Sequence, residues 1–278
     1  MPEGPETRRD ADKISRALLN VPLKEIYFKF PKLKRYEADF VGTKLILSTT
    51  KGKGFVLSFD NGLSIYCHLQ LYGKWHIGKS PKLNTNREIR MELQGPKKSA
   101  FLYSASTIEV LPTDKIYSIP YIKSLGPDVL DIEYEEVENV LNQKKYQNRS
   151  LGILFLDQKF LAGMGNYLRS EILFQAKLSP NAKLKDLNIE CKRNLAKIAK
   201  DTVMRSYKTG GYTVDEVLLE KRKKKRISRF ESLRFYAFGR VGKDCPFCEG
   251  KIVKENSQGR RFYSCTQCID KFAAQSTD

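Results

Sequence analysis

The chain has 278 residues, 41% of them hydrophobic, which is enough for a true core and roughly two domains and excludes a disordered chain. Lys and Arg number 50 against 32 Asp and Glu, a formal charge of +18, and no basic amphipathic helix with an aromatic face stands out, so the partner expected is nucleic acid rather than a membrane. No apolar run approaches about 18 residues and no signal-like apolar stretch follows Met1, so an intracellular location is expected.

The chain opens MPEGPE, and in the residues that follow Thr7, Ala11, Ile14 and Leu18 fall on one stripe at helical spacing. A helix over 4–20 is predicted, with proline and acids in a first turn that favours both. From about 21 to 120 the pattern is short β segments: KEIYFKF, TKLILSTT, GFVLSF, LSIYCHL, REIRMEL and SAFLYSA. FDNGLS, GKSPKLN and QGPKKS supply turns between them. Their number and spacing predict a sandwich or barrel against which the first helix packs. SLGPDVLD (124–131) reads as a linker because Gly126–Pro127 breaks any periodicity. Helical patterns follow in EYEEVENVLNQK, SLGILFLDQKFLAG, NYLRSEILFQAKL and LNIECKRNLAKIAKDTVMRSY. In AGMGNY, Gly163 and Gly165 set a tight turn into a helix near Asn166, which reads equally well as a phosphate-binding helix N-terminus or an ordinary helix corner.

The stretch 208–235 is polar and carries KRKKKR at 221–226, either a DNA-facing segment or a solvated surface run. The chain then closes on CPFC and CTQC. Cys245 and Cys248 are followed, after sixteen residues, by Cys265 and Cys268, a spacing that predicts one structural zinc held by four thiolates on a hairpin. Cys67 and Cys191 stand apart and read as ordinary core or near-surface thiols.

MPEGPE, KGKG near 52, QLYG at 70–73, LYSASTIEVL at 102–111, GPDVL at 126–130, LDQKFLAGMGNYLRSEIL at 156–173 and the four cysteines occur in an order that resembles the Fpg/Nei DNA glycosylase family. The resemblance runs from Met1 to about Cys268. It implies an α+β multidomain protein: an N-terminal catalytic β-sandwich with its helix (2–123), a linker (124–131), a helix–two-turn–helix DNA-binding domain (132–233) and a zinc finger (234–270). It also implies a monomer acting on damaged double-stranded DNA, as glycosylase and AP lyase in base excision repair.

Under that resemblance Pro2, freed of Met1, is the nucleophile. An α-amino group titrates near 7.7–8.0, far below the roughly 10.4 of lysine, so part of it is neutral at cellular pH. The secondary amine attacks C1′ and forms a cationic iminium. Glu3 becomes the general acid/base, with Glu6 supporting it. Lys53 matches the family's hairpin lysine, although alone it reads as a solvated turn residue. Arg260 matches the arginine that assists δ-elimination, with Arg261 its rival. Gln70, Leu71 and Tyr72 match the residues that fill the space of a flipped nucleotide, while the pattern alone gives a turn with aromatics. Asn166 matches a phosphate contact. Two departures stand out. Ser124 occupies the position of an arginine on the Nei side of the family, so that phosphate contact is either moved to Lys123 or lost, and TGGYTVDEVLLEK with FYAFGRVGKDC resembles the Fpg side. Oxidised pyrimidines are the expected substrates, 8-oxoguanine the alternative within the family, and a non-catalytic zinc-ribbon nucleic-acid binder the alternative outside it.

Overall fold

Between residues 25 and 112 the alternating pattern folds into antiparallel strands in the computed structural model, which describes residues 2–81, 85–225 and 229–269. By contacts the chain divides into two units, Met1–Leu125 and Gly126–Asp278. In the first, β1 (Glu25–Phe28), β6 (Ile89–Gln94), β7 (Ser99–Tyr103) and β5 (Lys74–Gly78) form one sheet in that order. The second sheet runs β2 (Leu45–Lys51), β3 (Gly54–Phe59), β4 (Leu63–His68), β8 (Thr107–Pro112). Strands β5 and β8 add to the six segments named from the pattern. Phe55, Leu57, Ile65 and Cys67 share a core with Met91, Leu93, Ala100 and Leu102, and helix α1 (Gly4–Leu18) adds Ala11, Ile14 and Leu18 to it. This is the expected sandwich with its N-terminal helix. The other face of β3 and β4 is covered too: Val56 and Tyr66 pack under Ile116, Ile119 and Ile122. That double cover explains why GFVLSF is buried along its whole length.

The second unit is built on α2 (Tyr134–Leu141), α3 (Asn166–Gln175), α4 (Ile189–Lys208) and α5 (Glu216–Lys224), followed by the hairpin β9 (Val253–Ser257) and β10 (Arg260–Ser264). Of the helix expected over 150–163, only the single turn Leu151–Leu154 forms. Beyond it the backbone finds other partners. Gln158 accepts from Gly163 N and donates to Met164 O at 3.1 and 2.8 Å, and Ala162 N donates to Pro127 O at 2.9 Å. Leu154, Phe155, Phe160 and Leu161 stay fully buried, so the apolar pattern reports burial without helical geometry.

From Gly126 onward the segment expected as a linker is built into this unit. A side chain at Gly126 would meet Lys159 O at 2.4 Å, and Val129 and Leu130 enter the helical core. Lys200 of α4 donates to the carbonyls of Val129, Leu130 and Ile132, tying the segment down. The thiol hairpin likewise belongs to this unit, since Phe262 of β10 is buried in the same core as residues of α2, α3 and α4 and lies against Arg169 of α3. The basic run departs from expectation at one residue: it ends a helix with Lys221, Lys223, Lys224 and Lys225 exposed, but Arg222 is buried, and Arg226 lies outside the described residues. Among the described residues, no helix is long and apolar enough to cross a membrane.

Candidate active site and nucleic-acid interface

Pro2 and Glu3 stand at the head of α1. Glu3 takes the N-cap position and is only 4% exposed, with Pro5 and Glu6 in the first turn. The Glu6 carboxylate accepts from Glu3 N at 3.1 Å, satisfying a backbone donor that the helix leaves open. Arg8 Nε donates to Thr50 Oγ1 at 2.8 Å and Ser48 Oγ to Ala11 O at 2.8 Å. The start of α1 therefore lies on β2, the strand that runs into TKGKGF.

The pairing Lys51 with Gly54 makes Gly52 and Lys53 a two-residue turn. Gly52 has φ +58, and a side chain there would meet Tyr121 Oη at 2.9 Å; one at Gly54 would meet the Tyr66 ring at 2.6 Å. Both glycines are therefore required, and Lys53 is held half-buried between them while its N–H donates to Tyr121 Oη at 3.1 Å. The Tyr121 ring also packs edge-on against His68, with centroids 5.2 Å apart. Burial, reinforced by the Lys53 charge, pushes the His68 imidazolium down from its ordinary value, so the ring is held neutral.

Neutral His68 has a further task. Its Nδ1 accepts from Gln70 N at 3.0 Å, and Gln70 Nε2 donates to Thr107 Oγ1 at 3.1 Å. These bonds hold Gln70 at φ +48, a region unfavourable for a side chain. Gly73 N closes the turn on Leu69 O at 2.8 Å, and a side chain at Gly73 would meet Leu69 Cα at 2.6 Å. Arg87 Nη1 donates to Tyr72 O. Between these anchors Leu71 and Tyr72 stand 63% and 69% exposed. An apolar pair displayed on a braced turn is what a stacking wedge requires. Lys123 is exposed at the end of the single turn Pro120–Lys123, and Ser124 Oγ folds back on Tyr121 O at 2.8 Å.

In the second unit Asn166 is the first residue of α3, after Gly163 at φ +83 and the N-cap Gly165. Its side chain donates to Arg261 O at 2.8 Å and accepts from Arg169 Nη2 at 2.9 Å. Arg169 is fully buried and reaches both strands of the hairpin, donating to Ser257 O and Arg261 O as well as Gly152 O. Ser257 pairs with Arg260 across Gln258 and Gly259, both at positive φ, so Arg260 is exposed directly after a tight turn. Strand alternation puts Arg260 on the face of Phe262, whose ring lies 5.4 Å from the Arg169 guanidinium, and Arg261 on the other. The structure thus gathers Lys53 with Gln70 around Tyr121 and His68, and Asn166 with the Arg260–Arg261 strand around Arg169. His68, Tyr121 and Arg169 escaped the sequence reading. Only for His68 was there a signal, as one of two histidines in the chain, two places before QLYG.

Cys245, Cys248, Cys265 and Cys268 bring their sulfurs within 4.8 Å of one another, with three separations of 3.5–3.6 Å. Tetrahedral thiolates at about 2.3 Å from a metal would stand ~3.8 Å apart, so the set can hold a metal ion. Phe247 N and Gly250 N donate to the Cys245 and Cys248 sulfurs at 3.4 and 3.3 Å, support that suits thiolates.

A sandwich, a helix–two-turn–helix region and a four-thiol hairpin define the architecture of the formamidopyrimidine-DNA glycosylases. Models of the formamidopyrimidine-DNA glycosylase N-terminal domain and H2TH domain match residues 1–104 and 125–217. The Endonuclease 8 proteins of Escherichia coli O1:K1 and Shigella flexneri serotype 5b are each 41% identical over 273 residues, covering 96% of this chain and 99% of theirs. Among solved structures, Lactococcus lactis Fpg bound to DNA with an abasic site aligns at TM-score 0.75 and 19% identity, covering 96% of this chain and 98% of that one. The same protein bound to DNA with an oxidised pyrimidine aligns at TM-score 0.76 and 18% identity, covering 96% and 99%. The chain belongs to the Fpg/Nei family of DNA glycosylases.

Proposed function

We propose that this protein is a bifunctional DNA glycosylase and AP lyase of base excision repair that removes oxidised pyrimidines from duplex DNA. The reading is carried by the Pro2–Glu3 terminus: a proline next to a buried carboxylate at the capped head of α1, in a chain 41% identical to Endonuclease 8. With Met1 removed, the Pro2 nitrogen attacks C1′, the glycosidic bond breaks and the base leaves with a proton. Glu3 handles the protons of sugar opening, and the iminium takes up electrons as a base removes the C2′ proton and the 3′ phosphate departs. Loss of the 5′ phosphate completes β,δ-elimination.

Lys53, fixed by its two glycines, holds a phosphate or protonates the sugar oxygen. Leu71 and Tyr72 fill the space of the extruded nucleotide, and Gln70 contacts the widowed strand. Asn166, Lys123 and Arg260 bind phosphates, Arg260 by a fork suited to an oxyanion. The four cysteines hold zinc, which positions the Arg260 hairpin and takes no part in the chemistry.

The test is borohydride trapping on a duplex carrying one abasic site, with mass spectrometry of the cross-linked peptide. An adduct on Pro2 is expected; a chain proven to begin at Pro2 that gives none refutes the lyase assignment. The Fpg-like segments around 209–221 and 235–245 make 8-oxoguanine the competing substrate. Competition between thymine glycol and 8-oxoguanine duplexes decides between them, with thymine glycol expected to be released faster.

A further inference from the structure

The basic run that the proposed chemistry leaves unused ends in a pocket of the second unit. Lys221, Arg222 and Lys225 of the α5 end meet Arg240 and Lys243 around a volume of about 260 Å³, with Asp244 the one carboxylate on its wall among the described residues. A helix C-terminus attracts cations, which accounts for the lysines of α5. It does not account for Arg240 and Lys243, which a separate segment brings to the same space.

The two arginines form the floor. Arg222 is 4% exposed, and its Nη1 donates to Leu233 O and Phe235 O at 2.9 and 2.7 Å. Arg240 Nη1 donates to Ser232 O at 2.9 Å, while its buried Nε has no partner among the described residues. Lys221, Lys225 and Lys243 are exposed and form the rim. Among the described residues none of the five cations makes an ion pair, and Asp244 is taken by Lys251. Cys245 of the thiol cluster also lines the pocket, and the carboxylates acting on Arg222 are Glu171 and Asp215, the latter bonded to Tyr236 Oη and Leu218 N. Glu171 is fully buried and already engaged by Thr213 Oγ1 and the N–H groups of Tyr236, Ala237 and Phe238. Burial first, and then the neighbouring Arg240 charge, lower the Arg222 guanidinium to about 10 against the opposing pull of Glu171 and Asp215.

We propose that this pocket is a phosphoryl-anion site, with Arg222 and Arg240 as a preformed floor and Lys221, Lys225 and Lys243 as its rim. An anion entering it removes the repulsion among five like charges and meets guanidinium donors already fixed by backbone carbonyls. Two sources present this chemistry: a backbone phosphate of bound nucleic acid, and the terminal phosphates of a free nucleotide or polyphosphate.

The test compares two variants of equal net charge in the full, metal-loaded chain. One is K221Q/K225Q/K243Q at the rim; the other, K144Q/K185Q/K197Q, removes exposed lysines elsewhere in the same unit. Pyrophosphate is the probe, read by calorimetric titration and by the rise in Tm it produces. Binding is expected to weaken at least tenfold in the rim variant and to stay within about twofold in the control. The salt dependence of duplex binding then identifies the source. A slope of log K against log salt reduced by about 0.9 per lost contact, beyond that of the control, assigns the site to a DNA phosphate. Unchanged DNA binding with lost pyrophosphate binding assigns it to a free phosphoryl ligand. Equal pyrophosphate affinity in the two variants, or none in the wild type, overturns the proposal.

Discussion

Replacing Arg169 by Met tests whether the finger hairpin is held by α3. Met keeps much of the apolar stem and removes every donor. Two of the shorter bonds of the guanidinium, to Asn166 Oδ1 at 2.9 Å and Gly152 O at 3.1 Å, come from a charged donor and are each worth about 1.5–3 kcal/mol. The contacts to Ser257 O and Arg261 O at 3.3 and 3.4 Å add less, as does the Phe262 ring. Against this stands the desolvation of a fully buried guanidinium, which Met does not incur. The net loss is about 3 kcal/mol. At roughly 2–4 °C per kcal/mol for a unit of this size, Tm should fall by about 10 °C in calorimetry. Because Arg169 bonds carbonyls on both strands beside Arg260, release of the 5′ phosphate should slow more than formation of the Pro2 adduct, measured on the same abasic duplex. A Tm change below about 2 °C with an unaltered product ratio would falsify this account of the hairpin.

The remaining predictions concern chemistry, metal and pH. Arg260→Ala should slow δ-elimination by about a hundredfold, the low end for removing one preorganised donor, and β-elimination far less; a gel that resolves the two products shows it, and an equal effect from Arg261→Ala would move the role there. Stripping the metal with a mercurial reagent should release one zinc per chain as the four thiols titrate, and hydrogen exchange should rise over residues 253–264 but not over β2–β4. His68 is held neutral below its ordinary 6.5, so the unfolded chain takes up the proton first. Stability from this site is complete above pH 6.5 and falls as pH drops below it. His68→Asn keeps an acceptor for Gln70 N and should flatten the decline in Tm between pH 7 and 5; parallel curves would remove His68 from that role.

The features legible in the residue order are local in the chain. The MPEGPE terminus specifies its capped helix because Glu3 and Glu6 are one turn apart, and KGKG specifies a tight turn because Gly52 takes φ +58, a conformation that favours glycine. The paired cysteines declare a four-thiol site through their own spacing. Where structure and local pattern differ, distant partners replace the local rule. SLGILFLDQKFLAG carries helical periodicity, yet Gln158 and Pro127 take the bonds a helix would have made. KRKKKR looks like a solvated run, yet Arg222 is drawn inside by the carbonyls of Leu233 and Phe235.

The supports of the site come from packing between distant segments. His68 was legible as a strand residue, but only the packing of Tyr121 and Lys53 around it makes it a neutral acceptor that braces the Gln70 turn. Asn166 and Arg169 meet a hairpin more than ninety positions away, a pairing no local pattern can announce. The basic pocket beside α5 likewise exists because Arg240 and Lys243 return to the lysines of that helix. Short-range stereochemistry is written in neighbouring residues. Burial, counter-charge and shared acceptors arise only when distant segments pack, and those set the protonation of His68 and the anchoring of Arg260.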